Sequence, residues 1–344
     1  MNTQLQELTQ KWAHVQAENP KMRIRDAATL LGTSEAQLIA LGESVQRLGG
    51  DFKKLLECVQ ALGTVMALTR NDNAVHECHG VYNNVSFEGP MGLVLDPMID
   101  LRLFMMHWKF GFAVEEGSRK SLQFFDKSGE AIHKIYATEQ TNMEAYDALV
   151  AQFATTGEEA LLTTEAYAAP APETPDAEVD VAGFQQGWLD LEDTHHFHGL
   201  TRRHKISRTQ ALRLAPAEHV LEIAPAQVRI MLEGAAENAV PIMVFVSNRG
   251  CIQIFSGTVN KLLETGPWFN VLDPAFNLHL RESAIAKAYV VKKPSTDGII
   301  TSLEVFDAAG EMIIQFFGKR KPGIPELTEW RSLVADLLQP TPAV

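Results

Sequence analysis

Apolar positions recur at helical spacing along Leu5–Glu18, and Asn19-Pro20 stops the run, so the pattern predicts an amphipathic helix there. Two shorter helices, Asp26–Leu31 and Ser34–Leu41, are expected to join through Gly32-Thr33, with Ser34 as the N-cap. After a helical Phe52–Leu62 the period falls towards two. Strands are predicted at Thr64–Thr69 and Ala74–His79, around the turn-forming Arg70-Asn-Asp-Asn73. Further strands follow at Val81–Phe87, Gly92–Leu95 and Leu101–Trp108. A hairpin, Ser121–Phe125 with Ala131–Tyr136, and a helix, Met143–Phe153, complete this set.

The same order restarts at Phe184. A helix is predicted from Phe184 to about Arg203, because Trp188, Leu191, His195 and His198 recur at helical spacing. A hairpin follows, Pro241–Val246 with Gly250–Ser256, then strands at Ala288–Val291, Ile299–Phe306 and Met312–Phe317, and a closing helix at Glu326–Leu338. Local matches support a duplication. Gly80 pairs with Gly257, Gly89-Pro90 with Gly266-Pro267, and Leu95-Asp96-Pro97 with Leu272-Asp273-Pro274, each 177 positions apart. Ser121–Asp126 matches Ser302–Asp307 after a short insertion. Between the halves, Ala168–Glu178 is rich in Pro, Ala and acid and reads as an extended linker. The expected fold is therefore α+β, an internal duplication of two similar halves, each with a large antiparallel sheet and flanking helices. The first repeat is placed at 1–165, the linker at 166–180 and the second repeat at 181–344.

Composition adds limits. Hydrophobic residues make up 46% of the 344, which fits a globular chain with ample core. Three cysteines, an absence of long apolar runs and an N-terminus without a leader pattern point to the cytoplasm. A net charge of −13 argues against non-specific nucleic-acid binding.

Against that acidic background, Leu191–His204 stands out. His195, His196 and His198 fall within four positions, and Arg202, Arg203, His204 and Lys205 follow. Read as one helix, His195 and His198 share a face with Trp188 and Leu191, while His196 turns about 100° away. Imidazoles on an apolar stripe beside cations suit a flat, apolar ligand with an anionic edge. Haem is such a ligand, since its iron takes a neutral imidazole nitrogen and its propionates take Arg or Lys. The plain alternative is a half-buried helix with a polar rim. On the predicted strand Asp100–Trp108, Arg102, Phe104 and Met106 share one face. An arginine so flanked could lie over a macrocycle, or be an ordinary surface arginine. Arg23–Leu38 has helix-turn-helix composition, but its second helix carries Glu35 and Glu43 and suits ordinary packing. The more basic Arg202–Arg213 keeps a haem-responsive DNA-binding regulator as the alternative function. His76-Glu-Cys-His79 lacks a second cluster, which argues against zinc.

Taken together, Asp193–His198, Asp100–Phe104, Met243–Ile252, Lys293–Gly298 and the duplication resemble the cytoplasmic haem-transport and hemin-degrading factor family of bacterial haem-uptake systems. The resemblance covers nearly the whole chain except the linker. It implies two stacked halves with haem in a cleft on the second half's side. It also implies His195 as the proximal ligand to the haem iron, and Arg102, with Phe104 beside it, as the distal arginine and the catalytic residue if the protein is an enzyme. Arg208, Lys293, Gln315 and Arg320 are implied at the propionates or haem edge. Phe317 stands where several relatives have a tyrosine, so no hydroxyl is available there. His196 and His198 match the subset with extra histidines, which implies an alternative ligand during transfer. The partners implied are haem, a haem oxygenase and the inner-membrane haem transporter. The family includes both carriers and haem-degrading enzymes that use an external reductant, and both roles stay open.

Overall fold

A computed structural model describes residues 3–155, 162–321 and 323–338. The outer ends of the two expected repeats, residues 1–2 and 339–344, lie outside the described residues. Two compact units emerge. Unit 1 comprises Met1–Arg70, His76–Ala168 and Ser247–Gln253; unit 2 comprises Asn71–Val75, Ala169–Val246 and Ile254–Val344. No helix among the described residues is long and apolar enough to cross a membrane.

The first half begins with helices α1 (Thr3–Glu18), α2 (Ile24–Leu31) and α3 (Glu35–Ile39), strand β1 (Val45–Leu48) and helix α4 (Phe52–Cys58). Strands β2 (Gly63–Arg70), β3 (Ala74–Gly80), β4 (Ser86–Glu88), β5 (Met91–Leu95), β6 (Asp100–Phe104), β7 (Phe110–Glu116), β8 (Arg119–Phe125) and β9 (Ala131–Thr141) follow, and helix α5 (Met143–Phe153) closes it. The second half runs through helices α6 (Val181–Leu189), α7 (His196–His204) and α8 (Arg208–Arg213), strand β10 (Val220–Ile223) and helix α9 (Gln227–Glu237). It continues with β11 (Ile242–Ser247), β12 (Cys251–Gly257), β13 (Leu262–Thr265), β14 (Trp268–Leu272), β15 (Phe276–Leu280), β16 (Lys287–Ser295), β17 (Gly298–Phe306), β18 (Met312–Gly318) and helix α10 (Thr328–Leu337).

The strands form two antiparallel sheets of nine, each a six-strand run joined to a three-strand meander. The duplication is visible in the ladder order. The runs β1-β7-β8-β9-β2-β3 and β10-β16-β17-β18-β11-β12 have the same topology, as do the meanders β4-β5-β6 and β13-β14-β15. Matched residues do matched work. Gly89 and Gly266 turn the meanders at φ +54° and +59°, where a side chain would be strained. Asp96 accepts from the side chain of Asn83, and Asp273 from that of Asn260. Asn71 and Asn248 each accept two backbone N–H groups at the head of a hairpin. Asp126 and Asp307 do the same in the β8–β9 and β17–β18 turns.

Several elements differ from the pattern-based expectation. Residues 81–85 form a turn instead of a strand, with Asn84 at φ +51° and Asn83 bonded to Asp96. The strand expected over Leu101–Trp108 stops at Phe104. Met105 donates its N–H to Pro90 O, and Trp108 Nε1 donates to Gly250 O, which curls Met105–His107 into a single 3₁₀ turn. Strand β7 carries no alternation because Phe110–Val114 is buried on both faces.

Helices α2 and α3 pack through Ala27, Ala28 and Leu38, and Ser34 and Gln37 cap α3 reciprocally. Glu35 points inward. Its carboxylate is 5% exposed and is held by Lys134 Nζ at 2.5 Å and by the Arg70 guanidinium. Burial alone would raise its pKa, but the two cations outweigh that and pull it down to about 2. A depressed carboxylate stabilises the fold above its unfolded pKa and loses that contribution as pH falls through the folded one. The shift from 4.5 to about 2 corresponds to a contribution on the order of 3 kcal/mol. Urea midpoints of the wild-type chain are therefore expected to fall between pH 4.5 and 2, and those of Glu35→Gln to fall less steeply over the same window. Parallel curves for the two proteins would show that Glu35 does not carry this dependence.

Candidate functional site

The segment expected as one helix from Phe184 to Arg203 is two, α6 and α7, separated by residues 190–195. After Leu189 the N–H groups of Asp190 and Leu191 bond back to Gln186 O and Trp188 O and end α6. Asp193 then turns the chain into α7. Its Oδ1 accepts the N–H of His195 at 2.8 Å, and its carbonyl accepts that of His196 at 3.0 Å. A side-chain acceptor two residues back competes with the helical bond. The break resets the helical phase, so Trp188, Leu191, Phe197 and Leu200 form the buried stripe. His195, His196 and His198 are all exposed, which corrects the expected placement of His195 and His198 on that stripe.

Exposure does not leave His195 unordered. Its Nδ1 lies 2.6 Å from Asp193 Oδ1. An ionised carboxylate only accepts, so Nδ1 carries a proton, and in the neutral ring the lone pair lies on Nε2. Asp193 stays ionised because the backbone N–H and ring of His195 hold its pKa below the usual carboxylate value. The rings of His196 and His198 have no hydrogen-bond partner among the described residues.

Beneath α7 lies a buried ion cluster. Glu304, fully buried on β17, accepts two bonds from Arg208 at 2.8 Å each and one from Lys293 Nζ at 2.7 Å. Burial would raise its pKa, but the two cations hold it well below the usual carboxylate range. Phe197 roofs the cluster, its ring centroid 4.5 Å from Lys293 Nζ and 5.2 Å from the Arg208 guanidinium carbon. Lys293 is 4% exposed, so its ammonium serves Glu304 directly; the Arg208 side chain keeps about a third of its surface in solvent.

Register aligns the sheet under these helices. Tyr289, Glu304, Gln315 and Phe245 lie opposite one another in successive strands, as do Val291, Ser302, Phe317 and Met243. Paired residues share a face. Helices α6–α8 cover the Tyr289 and Val291 end of that face. The other end, with Gln315, Phe317, Phe245 and Met243, is only half-buried, and the Phe245 and Phe317 rings meet at 5.0 Å. Arg320 donates to Asp297 at 2.8 Å, and its Nε is buried with no hydrogen-bond partner among the described residues. Unit 2 thus gathers the helix of His195, Arg208, Lys293, Gln315 and Phe317 on one side of one sheet. A 490 Å³ depression in unit 2 borders the covered end of this face, lined by Tyr289, Arg213, Lys287 and Phe306 among others.

In unit 1, Met91 lies opposite Phe104, Leu93 opposite Arg102 and Leu95 opposite Asp100. This meander face is open and sets four apolar side chains around the Arg102–Asp100 pair, with Met91 and Leu95 each more than 40% exposed. The Arg102 guanidinium is tied to Asp100, two residues earlier on the same strand. Met106 is off this face, because β6 has already ended; Met91 supplies the thioether instead. The sequence pattern marks the cations and histidines but not the carboxylates that hold them: Asp193, Glu304, Asp297 and Asp100. For Asp100 the signal was present, since residues two apart on a strand share a face.

This duplicated α+β fold, with paired sheets and a histidine-bearing helix, is that of a known family. The model of the haemin-degrading HemS.ChuX domain matches residues 32–153 and again 205–337, and the chain belongs to that family. His195 falls between the two matched segments. The hemin transport protein HemS of Yersinia enterocolitica is 41% identical over 335 residues, 95% of this chain and 96% of that protein. Among solved structures, apo-PhuS, a heme-binding protein from Pseudomonas aeruginosa, superposes with a TM-score of 0.93 at 46% identity, covering 96% of this chain and 98% of its own. The heme-degrading enzyme ChuS of Escherichia coli O157:H7 gives 0.91 at 35% identity, covering 97% and 100%.

The ion cluster makes a mechanical prediction. Removing one member of a buried charge group typically costs about 3–5 kcal/mol, because the others are left uncompensated. Glu304→Ala, which strands Lys293 and Arg208, is expected to lose stability of that order in urea titrations. A loss under about 1 kcal/mol, the scale of an exposed pair, would show that water reaches the cluster.

Proposed function

We propose that this chain binds haem in the cytoplasm after its uptake through an inner-membrane transporter. It then delivers the haem to a haem oxygenase or degrades it to release iron. The observation that carries the proposal is the bond from His195 Nδ1 to Asp193, which leaves Nε2 of an exposed imidazole free to ligate iron. The names of the relatives, a hemin transport protein, a heme-binding protein and a heme-degrading enzyme, support both fates. Bound haem would supply the iron and the oxidisable macrocycle. The half-buried Phe245 and Phe317 offer flat apolar contact, and the absent hydroxyl at Phe317 leaves orientation to other polar groups. Arg208, which keeps about a third of its side chain in solvent beside that face, suits a propionate, and the Arg320 guanidinium held by Asp297 is the second candidate. Lys293 acts through Glu304, by fixing Arg208. In unit 1, Asp100 holds the guanidinium of Arg102 over an apolar face shared with Phe104, which suits a donor to a ligand on iron.

The DNA-binding alternative draws less support. Within Arg202–Arg213, Arg213 is already paired with both Glu173 and Asp176. Fewer cations remain there for phosphates.

Hemin titration followed by a reductant in air tests the reading. Saturation near one to one is expected; weak, non-saturating uptake would reject it. A stable Soret band after reduction indicates a carrier, and its decay to a bilin-like product indicates an enzyme. His195→Ala is expected to change the spectrum and weaken binding most, while His196→Ala and His198→Ala leave the resting spectrum nearly intact and alter the rate of haem transfer. The reverse order would move the iron to another histidine. Arg102→Ala is expected to change azide affinity of the ferric complex about tenfold, the worth of one charge-assisted hydrogen bond, with a smaller effect on haem affinity. Weakened haem affinity with unchanged azide affinity of the complex that still forms would remove Arg102 from this role.

A further inference from the structure

Three histidines in four positions pose a selection problem, because one iron position takes one imidazole. All three rings are exposed, and the helix break removes the apolar stripe as the selector. We propose that Asp193 is the positioning residue that makes His195, and not His196 or His198, the iron ligand. The inference rests on the haem-binding reading above.

Asp193 Oδ1 holds both the backbone N–H of His195, at 2.8 Å, and its ring Nδ1, at 2.6 Å. The first bond fixes where the residue starts α7. The second fixes the ring's rotation and its tautomer, with the proton on Nδ1 and the lone pair on Nε2. An unheld imidazole in water samples rotamers and both tautomers, and ordering it on binding costs free energy. His196 and His198, whose rings have no partner among the described residues, bear that cost in full. The adjacent carboxylate also increases the basicity of the ligating nitrogen, which favours ferric over ferrous iron. Asp193 is half-exposed, so replacing it leaves no buried cavity.

The test uses the full chain, with and without hemin. In apoprotein labelled with ¹⁵N-histidine near pH 8, the His195 ring is expected in the Nδ1–H tautomer. Asp193→Ala should lose that preference, and Asp193→Asn, which keeps a neutral acceptor, should restore it. With hemin, Asp193→Ala should weaken affinity about tenfold, as loss of a partner to a metal-bound histidine typically does. In the Asp193→Ala background, adding His196→Ala or His198→Ala should now change the Soret spectrum, which the same substitutions leave intact in the wild-type chain. Asp193→Asn should retain ligation by His195 but raise the iron midpoint potential. An Asp193→Ala protein with an unaltered tautomer, or with a Soret spectrum that depends on His195 alone, would overturn the proposal. Failure of wild-type chain to take up hemin would instead sink the haem-binding reading, while the tautomer measurement would still decide whether Asp193 holds the ring.

Discussion

A carboxylate buried without water must be neutralised where it stands, and the Glu304 cluster shows how much structure that requirement organises. Glu304 draws Arg208 from α8 and Lys293 from β16 to one point on β17. Phe197 of α7 closes over the cations. Two consecutive helices, distant in sequence from β16 and β17, are thereby registered against one sheet face, and α7, whose N-terminus begins after His195, is set at a defined height above it. Apolar packing of Trp188 against Phe197, at 4.9 Å, supplies much of the adhesion. The charges supply the specificity, because a shifted helix would leave an ion unpaired in a dry interior.

Unit 1 solves the same problem with the signs exchanged. Ser34 and Ser207 cap equivalent helices, and the residue after each cap is Glu35 in one and Arg208 in the other. In unit 1 the carboxylate sits on the helix and the cations, Lys134 and Arg70, on the strands; in unit 2 the carboxylate sits on the strand. The duplicated fold thus keeps a helix-to-sheet ion lock while its polarity has inverted. In unit 2 this inversion places a partly exposed guanidinium beside the helix that bears the histidines.

A shared design joins the site residues. His196 and His198 aside, the cations and imidazole singled out as candidates are each held by a carboxylate: His195 by Asp193, Arg102 by Asp100, Arg320 by Asp297, and Arg208 with Lys293 by Glu304. Such partners orient long or freely rotating side chains before any ligand arrives. In Lys293 the partner consumes the charge altogether, which separates a residue that shapes the site from those able to touch a ligand.

The duplication, the α+β class and most strands were legible in the chain because they depend on local quantities: apolar period, turn residues such as Asn71 and Asn248, and paired motifs at constant spacing. The family was legible too, since short motifs such as Asp193–His198 survive without reference to packing. What the chain could not disclose was phase and partnership. A helical period carried smoothly from Trp188 to His198 on paper, yet one Asp193 side chain competing for a backbone N–H breaks it and turns the histidines outward. Met106 continued an alternation that the bond from Met105 to Pro90 ends. Glu304 looked like any alternating strand residue, and only the sheet register, with Arg208 brought back across nearly a hundred positions, made it the charged centre of the unit. Spacing determines which residues share a face of one element. Which element opposes them, and so which charges must pair, is decided only when the chain has folded and water has been excluded.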